Sequence, residues 1–294
     1  MPASSTVGNL PRGDYRLSRR QWLAAVPGAV ALAHGLPARA EDAAYAGTKK
    51  GKLHPEFPSH DPAVVREVVG AAHTRIDRVR ELVEASPALA KAAWDWGFGD
   101  WESALGAASH MGRVDIAELL IAHGARPDIF TFAMMGRVGA VRQMVEAMPG
   151  VQRIHGPHGF SLLDHPRFRL RHTEMTAADK SSVEATIDYL ESLGDADIRA
   201  ESLEVDEADK PIYIGRYAFD AGADGAFEVH TNNGGQLSIK RGERFGRVMN
   251  RVDEHTFAPS GAADVRIRFQ VDDRRATSLT IHDPTPLVTA RRVD

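Results

Sequence analysis

The hydrophobic period of the chain changes once, at Pro211, and this switch limits the fold more than any other feature. From Asp61 to Gly194 the apolar residues keep helical spacing in short bursts, each ended by glycine or proline. After Pro211 they alternate with polar residues. The pattern predicts paired short helices followed by an antiparallel sheet, and 294 residues with 43% hydrophobic content are enough for two ordinary cores.

The helical part repeats itself. Met111-Gly112-Arg113-Val114 recurs as Met135-Gly136-Arg137-Val138, and Arg80-Glu81-Leu82-Val83 aligns with Ala117-Glu118-Leu119-Leu120. Asp61-Pro62 supplies a cap and a first-turn proline for the first helix. Ser103 to Gly112 (SALGAASHMG), followed by Leu119-Leu120 and His123-Gly124-Ala125, resembles the ankyrin repeat, a β-turn plus two antiparallel helices. Ser103 stands where the family threonine caps the first helix, while Gly106 replaces the family histidine and Ala104 the proline. A fourth unit opens at His158-Gly159-Phe160-Ser161 and closes in residues 183 to 193. The third, Gly124 to Gly150, is too short to keep its hairpin finger, and the first has Arg75 in place of a glycine. The resemblance implies a solenoid of about four units over residues 61 to 194, enough for repeats that bury their faces only against neighbours.

Candidate strands in the second part are 212–218, 226–231, 236–241, 245–251, 255–258, 264–271, 276–281 and 286–292, with turn residues such as Asn232-Asn233-Gly234-Gly235 between them. Eight short strands with tight turns predict an antiparallel barrel, which leaves no exposed edge. Tyr213 to Tyr217, Gly235-Gln236-Leu237, Arg266 to Phe269 and Ser278 to Ile281 loosely resemble the lipocalin-like accessory barrel of some β-lactamase-type serine hydrolases. The fold class expected is therefore α+β and multidomain: an α-solenoid of ankyrin-like repeats at 61–194, an acidic linker at 195–210 and a small barrel at 211–294.

Residues 1 to 40 read differently. Arg19 and Arg20 are followed by Trp22-Leu23, a weakly apolar run from Ala24 to Leu36, and Ala38-Arg39-Ala40. This resembles a twin-arginine export signal, with Trp22 where phenylalanine is usual and Ala24 where lysine is frequent. Cleavage between Ala40 and Glu41 is expected, followed by a flexible tail at 41–60. Pro27, His34 and Pro37 interrupt the run, which argues against a membrane anchor. The reading is a bacterial protein of the periplasm or otherwise exported. Beyond residue 40 the chain carries 31 Lys+Arg against 39 Asp+Glu, and this acidic body argues against nucleic-acid binding. The absence of cysteine excludes disulfides, thiolate metal sites and a cysteine nucleophile.

Gly97-Phe98-Gly99-Asp100-Trp101-Glu102 starts like a dinucleotide loop but puts Glu102 where the third glycine belongs, so it reads as the hairpin turn of a finger. Trp94, Trp96, Phe98 and Trp101 then become candidate anchors for an envelope protein partner, with Asp95, Asp100 and Glu102 selecting opposite charge; packing on the next repeat is the alternative. His155, His158, His165 and His172 are clustered in sequence, but their spacing is not the i, i+4 helical pair, so they read as hydrogen-bonded turn residues and no metal or cofactor is expected. Asp220 to Gly225 lacks the ligands of a calcium loop and reads as a turn. Arginines 247, 251, 266, 268, 274, 275, 291 and 292 make the barrel basic, and strand alternation would set them outward.

No Ser-x-x-Lys, Gly-x-Ser-x-Gly, His-Glu-x-x-His or phosphate loop occurs, so no catalytic residues are assigned and the chain reads as non-enzymatic. The first expectation is a protein-protein interaction or scaffold module. The alternative is a small-molecule carrier or sensor, its ligand in the crevice between the two parts or in a barrel lined by Phe219, Phe227, Phe245, Phe257 and Phe269. A hydrolase comes third and would be revived by paired buried acids or a Ser–His contact in a cleft.

Overall fold

The computed structural model describes residues 54–172, 174–199, 201–222 and 225–294. The expected export motif at Arg19 and Arg20 and the expected cleavage site between Ala40 and Glu41 lie outside these residues. No described helix is long and apolar enough to cross a membrane.

Eight helices of the first part form four consecutive pairs: α1 (Pro62–Ala71) with α2 (Ile76–Ala85), α3 (Ala104–His110) with α4 (Val114–Ala122), α5 (Ile129–Met134) with α6 (Val138–Ala147), and α7 (Asp164–Arg169) with α8 (Ala177–Leu193). The first helices pack on one another in the order α1, α3, α5, α7. Local sequence fixes their starts. Side chains of Asp61, Ser103, Asp128 and Thr176 each accept a bond from a first-turn amide of α1, α3, α5 and α8 respectively.

The repeated tetrapeptide makes the same turn twice. Gly112 and Gly136 are left-handed at φ 68° and 70°, and Arg113 N–H donates to Ala108 O as Arg137 N–H donates to Phe132 O, both at 2.9 Å. Both glycines lie against the fourth pair: a Cβ on Gly112 would lie 2.9 Å from Arg169 Cα at the end of α7, and one on Gly136 2.9 Å from the backbone of Ser182 and Val183 in α8.

Between α2 and α3 the chain makes a hairpin finger of β1 (Ala93–Asp95) and β2 (Trp101–Ser103). Gly97, Phe98 and Gly99 turn it with positive φ, and Asp95 accepts from Gly97 N–H. No strand forms in residues 123–128, where the third unit runs directly into α5. The fourth unit has a tighter finger closed by pairing of His155 with Ser161, and His158 sits at its tip with φ 62°.

The second part is a closed antiparallel barrel in the order β10-β3-β4-β5-β6-β7-β8-β9. Its strands are β3 (Gly215–Ala218), β4 (Ala226–Thr231), β5 (Leu237–Arg241), β6 (Arg247–Asp253), β7 (Thr256–Pro259), β8 (Arg266–Asp272), β9 (Arg275–Asp283) and β10 (Thr285–Arg292). All eight expected strands form. The first starts three residues late because Pro211, at a first-turn position, begins the short helix α9 (Lys210–Tyr213).

Tyr213, Tyr217, Phe227, Phe257, Phe269, Ile267 and Leu279 fill the interior, as a barrel of this strand number permits. Phe219 packs partly buried against that core, but Phe245 departs from the expectation. It is 71% exposed, in the turn before β6 rather than on a strand. Within the expected acidic linker, Leu203 pairs with Arg251 of β6 and Val205 packs on the barrel core.

Candidate functional site at the junction of helices and barrel

Two fingers and one barrel strand meet at Asp100. Its carboxylate accepts the backbone N–H of His158 at 2.9 Å and the ring Nδ1–H at 2.7 Å, and pairs with the guanidinium of Arg247 at the start of β6. Asp100 and Arg247 are both buried. Gly261, after β7, lies so close that a Cβ there would sit 2.6 Å from Asp100 Cγ. Burial opposes ionisation of Asp100, but His158 and Arg247 outweigh it and hold the carboxyl below its ordinary range.

One step along β2, Glu102 is 1% exposed and faces three imidazoles. Its Oε1 lies 2.8 Å from His110 Nε2 and 3.4 Å from His158 Nε2, and its Oε2 lies 3.4 Å from His73 Nε2. Trp96 Nε1–H donates to Oε2 at 2.6 Å. The close approach of His110 Nε2 to Glu102 Oε1 is off the ring N–H axis, so neither atom has a hydrogen bond. Burial works against the Glu102 carboxylate, yet the neighbouring histidines bring it to about 2. Burial also disfavours the His158 imidazolium, but Asp100 and Glu102 prevail and raise it to about 9. At His110 burial wins and lowers the value.

Each side chain is held from behind. His73, beyond the end of α1, has its Nδ1 3.2 Å from the carbonyls of Val69 and Gly70. His110 closes α3, a helix buried on every side. His158 has Asp100. All three rings present Nε2 to Glu102, and at His73 and His158 a second partner at Nδ1 fixes the ring orientation. The backbone at His158 is in the sparsely populated left-handed region, which the finger and its Asp100 bonds impose.

Above this cluster lies a crevice of about 810 Å³ between helices and barrel. His73, His110 and His158 share its floor with Trp96. Phe160, Phe168 and Met111 form one wall, and Phe245, Arg247, Val248 and Asn250 the other. Exposed Arg171 stacks over Phe168 with its guanidinium 4.4 Å from the ring centre, and both it and His172 line the crevice.

The sequence candidates separate accordingly. Trp96, Asp100 and Glu102 converge on the cluster, where the two acids are buried. Trp94 packs half-buried against the helical core and Phe98 against the barrel core, while Asp95 caps the finger turn. Trp101 is 65% exposed at the finger. Of the four clustered histidines only His158 joins the site's core. His172 lines the crevice with its Nε2 2.7 Å from Met111 O, His155 Nε2 lies 2.7 Å from Ile198 O, and His165 is buried against Phe130. Among the barrel arginines, Arg247 turns out to be buried because Asp100 offers it a counter-charge.

Sequence reading missed His73 and His110. A histidine in the last turn of an all-buried helix must find a partner, and β2 alternation, with Trp101 outside and Glu102 inside, supplies one. No protein-family model, curated protein or solved structure matches this chain.

Proposed function

We propose that the protein binds a small molecule in the crevice between its helices and its barrel. The observation that carries this reading is the crevice itself: its volume of about 810 Å³ suits a small organic ligand, and its walls are aromatic over a polar floor. Trp96, Phe160, Phe168 and Phe245 favour a flat, apolar body. Arg171 in the lining favours an anionic group on it. The filled barrel interior points to the junction, rather than the barrel, as the place for a ligand.

A titration of the folded protein with anilinonaphthalene sulfonate, an aromatic anion of this description, tests the proposal. Saturation at one probe per chain is expected. Val248→Trp, which fills the crevice from the barrel wall, should weaken binding at least tenfold and leave the thermal midpoint in place. Equal binding by that variant would refute the assignment.

We read the helical pairs as degenerate ankyrin repeats at 61–194, supported by the duplicated Gly112 and Gly136 turns, and the barrel at 211–294 as an appended lipocalin-like module. Export through a twin-arginine route remains our reading of Arg19 and Arg20. Docking of a partner protein is the second function, favoured by one observation: Trp101 stands exposed on the finger.

A further inference from the structure

We infer that His73, Glu102, His110 and His158 hold one divalent first-row transition-metal ion, with an open coordination position facing the crevice. The four donor groups offer ligand atoms that all lie within 4.8 Å of one another. Ligand atoms about 2.1 Å from a common ion stand roughly 3.0–3.4 Å apart in tetrahedral or octahedral geometry. From Glu102 Oε1, His158 Nε2 stands at 3.4 Å, within that shell, and His110 Nε2 at 2.8 Å, just inside it, while His73 Nε2 lies 3.4 Å from the other oxygen, Oε2.

Two buried atoms point to the same centre. His110 Nε2 and Glu102 Oε1 are within 2.8 Å yet make no hydrogen bond. A buried polar atom left without a partner has given up its hydration for nothing in return. An ion between these atoms would satisfy both at once, which their mutual off-axis contact does not.

The surroundings are those of a metal site rather than a simple ion pair. Trp96 Nε1–H occupies Glu102 Oε2 and leaves Oε1 toward the centre. Asp100 accepts from His158 Nδ1–H, and main-chain carbonyls stand at His73 Nδ1, so each of these rings presents Nε2 inward. Three imidazoles and one carboxylate suit zinc, cobalt, nickel or iron(II) better than magnesium or calcium, which prefer all-oxygen shells. Glu102 lies behind the crevice wall while the three histidines line it, so the free position opens into the crevice. With neutral histidines, the ion and Glu102 leave one net positive charge, and the Asp100–Arg247 pair adds none. An oxygen anion is the ligand such a centre would take.

This inference rests on the crevice reading only for what fills the open position. The test is titration of the metal-stripped full chain with Co(II), followed by the visible d–d absorption, with Zn(II) as competitor. One equivalent is expected to saturate the band and Zn(II) to abolish it. Glu102→Gln and His110→Ala should lose the band, and half-exposed His73→Ala should weaken Co(II) binding at least tenfold with unchanged circular dichroism. Asp100→Asn, acting through the orientation of His158, should weaken it roughly 10–100-fold. His155→Ala should bind as the parent does. A folded parent without a saturable band, or a band that survives both Glu102→Gln and His73→Ala, would overturn the site. Loss of the metal with retained binding of anilinonaphthalene sulfonate would defeat this inference alone; a Co(II) band with no binding of that probe would defeat the crevice reading alone.

Discussion

Asp100 serves both halves of the molecule: its carboxylate fixes the ring of His158 on the helical side and neutralises Arg247 on the barrel side. Removing one partner of a buried pair leaves an uncompensated charge, so Asp100→Asn should cost about 3–5 kcal/mol in urea unfolding. Arg247→Met in the same background should recover part of that loss, a coupling visible in a double-mutant cycle. His165 gives a pH signature. Its Nδ1 lies 2.9 Å from Ser161 O while Nε2 has no partner, and burial pushes its value down to about 4 from 6.5. Below pH 6.5 the unfolded chain takes up a proton that the folded chain refuses, so stability should fall by about 3 kcal/mol between pH 7.5 and 4. His165→Gln should flatten that slope. The sequence exposed neither role: Asp100 was legible as a turn residue, but its partners come from positions 158 and 247, which only tertiary folding brings near.

At the scale of elements, caps and turns were the most legible features because their chemistry is local. Ser103 was readable as a cap, and its hydroxyl accepts from Gly106 N–H at 2.9 Å. Ser103→Ala should lower stability by about 1 kcal/mol. Gly136→Ala should cost more, since it combines a left-handed backbone with a clash against α8, and thermal melting will rank the two. The strands of the barrel were legible from alternation and turn residues, apart from the start of β3, where Pro211 favours a helical turn. The fingers were legible as turns but not in direction. Strand alternation separates Trp101 from Glu102, so the aromatic and acidic residues of one short stretch divide between surface and interior.

At the scale of the whole molecule, the period switch at Pro211 announced two parts but not the crevice between them. That space depends on how the fingertips at Phe98 and His158 meet the barrel, and no periodicity encodes such a meeting. The histidine cluster was hidden for the same reason, since His73, His110 and His158 come from three separate stretches of the helical part, after α1, at the end of α3 and before α7. The central claim is that ligand binding occurs at this junction and not on the exposed finger. Indole N–H spectroscopy separates the two directly, because Trp96 borders the crevice while Trp101 stands outside. With the signals assigned by Trp→Phe variants, titration with anilinonaphthalene sulfonate should shift the Trp96 indole resonance and leave that of Trp101 in place. Movement of Trp101 with Trp96 unchanged would contradict the account and put the binding surface on the finger.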